Sequence, residues 1–251
     1  MKKYEFTGET NEQGLKRIRA VRYVRGGVSE GTIGGWIADE SNLSHEGEAW
    51  VHEDAWVYHS AKVFDNALVK GEARVYGHAL VAENAHVYSR AHVREDARVS
   101  GNAAVYGTAV VYGSAQVHGC ARVYGHALMG GRTQVYGESQ VCGDAWVGDD
   151  AHVYGDAEVY GFARVYGDAR VEELSHAIYL EGLPSGTVNM FRTEDGYRLS
   201  IGCWNGTTDE LREMIAGEDW PEADADQRKV RRPQLAALAD MIDATVASWD
   251  R

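Results

Sequence analysis

The hydrophobic positions of this chain fall on a period of six. From Ala49 to Val171 the sequence reads A-x-V-Y-G-x with no insertion or deletion. Across 21 consecutive hexads the third position is valine except at Met129, and the first is alanine except at Thr133 and Ser139. Alternate residues of an extended strand face opposite sides, so the alanine and valine of each triplet share one side and the residue between them points the other way. A side made only of small and β-branched apolar residues is an interior. The Y-G-x triplet that follows predicts a corner, because glycine adopts backbone angles that other residues resist. Where glycine is missing, the substitutes include His59, Asp65, Glu83, Glu95 and Asp149, polar residues that suit an exposed bend.

Three short strands joined by three corners close a triangular coil of three hexads, so residues 49–171 predict seven turns of a β-solenoid. With neighbouring strands about 4.8 Å apart, the prism is roughly 35 Å long. No coil is stable alone, because each buries its core only against the next. Residues 1–48 read as an N-terminal cap: KYEFTG and LKRIRAVRYV alternate as strands do, with Gly26-Gly27 and Gly34-Gly35 as turns. Residues 172–251 read as a small acidic α+β module. There TVNMFRTEDGYRLSIGCW predicts two strands around the hairpin dipeptide Asp195-Gly196. Thr207 and Glu210 have capping-box spacing ahead of a first helix. A second helix is expected from near Pro233, with Leu235, Leu238, Met241, Ile242 and Val246 as its apolar stripe.

Composition narrows the function classes. The chain of 251 residues has a formal net charge of −13, which leaves no basic surplus for phosphate backbones or acidic membranes and argues against general nucleic-acid binding. Most of the acidity lies in residues 172–251, with 16 acidic against 8 basic residues, either a solvated surface or a docking face for a basic partner. No apolar run approaches the roughly 18 residues of a membrane span, and the polar start lacks a secretion signal. Three cysteines, Cys120, Cys142 and Cys203, show neither paired nor CxxC spacing, so disulfides and a zinc site are not expected and a cytoplasmic location is.

The run ARVYGHALVAENAHVYSRAHV, with an aliphatic residue at every sixth position and a small residue two before it, resembles the hexapeptide-repeat proteins. That resemblance implies a left-handed triangular parallel β-helix. The lead-in GTIGGWIADESNLSHEGEAWV is similar to segments of bacterial and phage-encoded hexapeptide proteins often labelled acyltransferases. Enzymes of the family are mostly acyltransferases, with a γ-class carbonic anhydrase branch, and usually act as trimers with sites between subunits. An acyltransferase reading implies acyl-CoA as substrate and a histidine base, for which His86 and His92 are the candidates. The unbroken register offers no inserted loop to enclose a thioester, which weighs against that activity.

Residues three hexads apart stack, so the outward positions sort into three columns. The first, Trp56, Arg74, His92, Val110, Leu128, Trp146 and Arg164, is the most apolar. Its Trp56, Val110, Leu128 and Trp146 are candidates for a contact between subunits. The second runs from Trp50 through His86 to Glu158, and the third from Lys62 to Arg170. Tyr88, Tyr106 and Tyr124 form a corner column that either stabilises the bend or serves as a platform for a planar ligand such as a nucleobase. No metal site is expected, since no two histidines of one column lie a single coil apart. The reading is a noncatalytic, homo-oligomeric solenoid, most simply a trimer, with no cofactor. The phage resemblance implies a role in the host cytoplasm, in assembly or against host defence, by binding a host protein or sequestering a nucleotide-like ligand. The alternative is the acyl-CoA-dependent acyltransferase.

Overall fold

The computed structural model describes residues 2–25, 27–217 and 225–249, so Gly26 of the expected Gly26-Gly27 turn lies outside the described residues. The chain opens with antiparallel strands β1 (Tyr4–Thr10), β2 (Lys16–Ala20) and β3 (Ile33–Ile37). Next come 21 two-residue strands, β4 (Trp50–Val51) to β24 (Arg170–Val171), each the x-V pair of one hexad, with Met129 once in the place of valine. They wind through three parallel sheets in which every strand pairs with the one three hexads on, as His86 with Ala104 and His92 with Val110. These are the seven expected coils. Trp36 pairs with Trp56 and Leu43 bridges to Val63, so the lead-in adds one irregular turn, about eight in all.

One pair of backbone bonds repeats along the prism. The residue before each valine donates its N–H to the next coil's alanine carbonyl, and the residue after it donates to the next valine carbonyl: His86 to Ala103 at 2.9 Å, Tyr88 to Val105 at 3.0 Å. Every first-position alanine and third-position valine of the hexads is buried, together with Met129, Thr133 and Ser139. The Ser139 hydroxyl is satisfied by donating to the Tyr136 carbonyl at 2.7 Å.

The corners show why glycine dominates them and what replaces it. At Gly101 φ is +68°, and a Cβ there would lie 2.7 Å from the Gly119 carbonyl oxygen one coil on. Seven other residues hold the same left-handed conformation with a side chain, among them Glu53, Asp65, Glu83, Glu95 and Asp149. In these five the carboxylate accepts the N–H of the corner residue one coil further, as Glu83 does from Gly101 at 2.6 Å and Glu95 from Gly113 at 2.9 Å. A charge-assisted bond thus offsets the roughly 1–2 kcal/mol cost of a left-handed residue. Glu83→Ala keeps that cost and loses the bond, so chemical denaturation should show a loss of about 1 kcal/mol, whereas Glu83→Gly removes both and should stay near wild type. Val123→Phe, by contrast, overpacks the narrow core and should cost about 1–3 kcal/mol.

Both ends of the prism are closed. Outward-pointing Trp50 is fully buried, because β1 folds across it and sets the Tyr4 ring edge-on at 6.4 Å. The Tyr4 hydroxyl donates to the Leu43 carbonyl at 2.9 Å. At the other end Phe191 enters the solenoid core and meets the Tyr166 ring at 5.1 Å. It comes from an antiparallel sheet of β25 (Ala177–Leu183), β26 (Gly186–Thr193), β27 (Gly196–Ile201) and β28 (Trp204–Gly206). The Thr193–Gly196 pairing places the hairpin turn at Glu194-Asp195, one residue before the expected Asp195-Gly196. Helix α1 (Thr208–Ala216) begins with the expected capping box, in which the Thr207 hydroxyl accepts from the Glu210 N–H at 3.2 Å. Helix α2 (Ala225–Val246) differs from expectation: it starts well before Pro233 and carries the proline inside it. A proline costs one interior hydrogen bond and does not by itself forbid a preceding turn. Its buried stripe is Leu235, Leu238, Ala239 and Ile242, whereas Met241 is exposed, because α1 and the apolar residues of the sheet meet the helix on that narrower face.

The same device turns the chain at both ends of the regular coils. In the short 3-10 turn at residues 40–42, the Asn42 Oδ1 accepts the N–H groups of Ala38 and Asp39 at 3.1 and 2.8 Å. In the matching turn at residues 174–176, the His176 Nδ1 accepts from Glu172 and Glu173 at 3.1 and 3.3 Å. Accepting two bonds on Nδ1 requires the neutral ring. Burial and the neighbouring Arg192 guanidinium both hold the His176 pKa below its usual value, against the weaker pull of Glu173 and Glu172. The unfolded chain therefore takes up a proton that the folded state refuses, and stability is lost as pH falls through about 6.5 towards the lowered native value. His176→Asn retains an acceptor like that of Asn42 without the titration. Its midpoint should lie close to wild type at pH 7.5 and gain on wild type as the buffer is acidified, while His176→Leu should lose about 1–3 kcal/mol at either pH.

Candidate functional site

The columns read from the sequence are the columns of the sheets. Val110 pairs with Leu128 and Leu128 with Trp146, so these three make one continuous stripe across neighbouring coils, with Leu128 42% exposed. Trp56 is set apart from them. Arg74 and His92 intervene in the sheet, and the Arg74 guanidinium lies over the Trp56 ring at 4.3 Å. Trp146 leans along its strand over Gly148, where an added Cβ would come within 2.5 Å of the ring.

His86 and His92 sit on different sheets, and neither makes a side-chain hydrogen bond among the described residues. Burial lowers both pKa values, helped by Lys70 and Arg25 near His86 and by Arg74 and Arg94 near His92. Each is therefore neutral at pH 7 and able to accept a proton. A general base also needs an orienting partner, and His92 has only the edge of the Tyr76 ring at 6.1 Å.

Tyr88, Tyr106 and Tyr124 stack as expected, with centroids 4.7 and 4.9 Å apart and planes within 5°. The faces between the rings are already occupied. The Lys70 ammonium stands 5.1 Å over Tyr88, and the Tyr124 hydroxyl donates to the Gln140 Oε1 at 3.2 Å; the neighbouring Cys142 thiol and burial push its phenol up to about 12. The ladder therefore presents ring edges and hydroxyls to solvent, which differs from the open platform that stacking a planar ligand requires.

Other ladders at the same three-hexad spacing escaped the sequence reading. Asn66, Asn84 and Asn102 pass side-chain amide bonds of 3.2 Å from coil to coil, and Arg132 holds Asp150 through two bonds of 2.7 and 2.6 Å. Among the described residues no group of three or more His, Cys, Asp or Glu side chains is placed to hold a metal ion.

A cleft of about 640 Å³ lies where the last coils meet the C-terminal sheet. The solenoid supplies Trp146, Arg164, Tyr166 and the corner residues Asp144 and Phe162, and the sheet supplies Tyr179, Glu181, Thr187, Asn189 and Ser200. The Asn189 Oδ1 accepts the Arg164 N–H at 2.9 Å, which ties the two bodies together and orients the amide. The Tyr179 hydroxyl donates to Glu181, and burial together with that bond pushes the phenol up to about 12. A smaller hollow of about 280 Å³ lies on the third face around Leu80, Arg98 and Gln116. The cleft could not be read from the repeat, since more than half of its wall belongs to a part of the chain with no periodicity. Phe162 carried the one available signal: at the position that follows each corner residue, from Asp54 to Asp168, it is the one phenylalanine, tyrosine or tryptophan.

Residues 97–113 match a family model described as the YdcK beta solenoid repeat. The chain is a β-solenoid repeat protein. The match spans just under one coil and concerns the repeat itself, and no curated protein matches the chain. Among the described residues no helix is long and apolar enough to cross a membrane.

Proposed function

We propose that this chain is a noncatalytic binding protein that self-associates through one face of its solenoid and presents the remaining surfaces to a ligand or partner. The observation that carries this reading is the Val110–Leu128–Trp146 stripe, three apolar side chains in register on a flat parallel sheet. Such a patch is costly to leave in water, and a straight prism offers it in a form that a second copy can match. The resemblance to hexapeptide-repeat proteins supports a trimer as that assembly, and their phage-encoded members support a host molecule as the target. Support for a binding role also comes from the coils, whose unbroken register leaves the faces around His86 and His92 flat. Flat faces neither exclude water nor place an acceptor about 3 Å from a base.

Light scattering should report an oligomer for the wild type, and Leu128→Glu, which sets a carboxylate in the contact, should convert it to monomer with its fold intact by circular dichroism. A monomeric wild type would end the self-association reading. Incubation with acetyl-CoA and a panel of amines and alcohols should release no thiol above the blank. Turnover lost in His86→Ala or His92→Ala would instead establish the acyltransferase.

A further inference from the structure

We infer that the cleft between the last coils and the C-terminal sheet is a binding site for a neutral saccharide. The inference rests on the reading of the chain as a binding protein and names its ligand class. At about 640 Å³ the cleft falls within the ~300–1,000 Å³ of small-molecule sites.

Its aromatic lining is placed against the grain of the repeat. Phe162 stands at a corner position whose equivalents in the three preceding coils are Asp144, His126 and Thr108, yet it is 54% exposed. A large ring half in water on a polar column buries little surface in the free protein. Its centroid lies 6.3 Å from that of the Tyr179 ring, on the same wall of the cleft. Apolar ring surface of this kind suits the C–H face of a pyranose, which is flat and weakly polar.

The polar groups choose among ligands that could use such a surface. Asn189 spends its Oδ1 on the Arg164 amide, so what it offers is N–H donors. The Ser200 oxygen accepts, its proton being given to the Asn189 carbonyl at 3.5 Å, the Asn205 amide both donates and accepts, and Glu181 is held in place by the Tyr179 hydroxyl. Hydroxyl groups, each donor and acceptor at once, pair with such a mixture. Charge excludes the competing classes. Asp144 and Glu181 outnumber the one cation, Arg164, so a phosphate, the diphosphate of a nucleotide or the pyrophosphate of acyl-CoA meets a net negative wall. A neutral polyhydroxylated ligand meets no such penalty.

The test is isothermal titration calorimetry of the full chain with short oligomers of glucose and of N-acetylglucosamine, with glucose 6-phosphate and AMP as charged probes. Binding of at least one neutral oligomer is expected, with the phosphorylated probes at least tenfold weaker. Phe162→Ser, which restores a residue type found at other corners, should weaken saccharide binding at least tenfold without lowering the melting temperature, and Phe162→Tyr should retain it. Absence of binding to both neutral series, tighter binding of AMP, or saccharide binding indifferent to Phe162→Ser would each overturn the assignment. Tight AMP binding would do so while leaving the binding-protein reading intact, whereas acetyl-CoA turnover would remove that reading itself.

Discussion

Everything in this molecule depends on the hydrogen bonding of each coil to the next in strict three-hexad register. The N–H groups on either side of each valine reach carbonyls one coil on, and this places alanine over alanine and valine over valine inside. Backbone bonds and core packing are therefore one constraint. A residue inserted into any hexad would break the pairing and turn the following side chains to the wrong side together. That coupling explains the low diversity of the interior, where a single methionine and two hydroxyl residues are the only departures across 21 hexads. It also explains why a thin core suffices, since each coil adds the same small burial and passes its unpaired edge to the next.

The same register converts outward residues into ladders. Stacked tyrosines, the asparagine column and the carboxylates that reach the next corner N–H are all contacts between residues three hexads apart. They occupy side chains that a single coil would leave free for ligands. The Tyr88–Tyr106–Tyr124 column is the clearest case, because self-stacking consumes the faces a nucleobase would need. A regular solenoid face thus favours contact with another extended surface over the capture of a small molecule.

Concavity enters where regularity stops. The repeat has to end, and an open coil would expose a hydrophobic core and a row of unpaired backbone groups. At the N-terminal end the chain doubles back and covers Trp50 completely. The C-terminal end is covered by a separate sheet that inserts Phe191 and leaves a cleft beside it, lined by aromatic rings and opposed charges from both bodies. Neutral His176 holds the turn between the two.

The fold of residues 49–171 was legible in the sequence because period six, corner glycine and column sorting are local properties that repeat identically, and parallel pairing at three hexads follows from them. The Thr207 capping box was legible for the same reason, its partners lying close together in the chain. Positions whose environment comes from distant segments were not. Trp50 has the sequence context of an exposed column residue, and only β1 folding across it makes it core. Pro233 has the look of a helix start, yet the packing of Leu235, Leu238, Ala239 and Ile242 on the sheet belongs to a helix that already spans it. The cleft is of the same kind: Phe162 announced an exception to the repeat, but the Asn189 and Glu181 that face it are brought there by a sheet with no periodicity. What repeats locally can be read from a chain, and what two dissimilar bodies make where they meet is decided by tertiary structure alone.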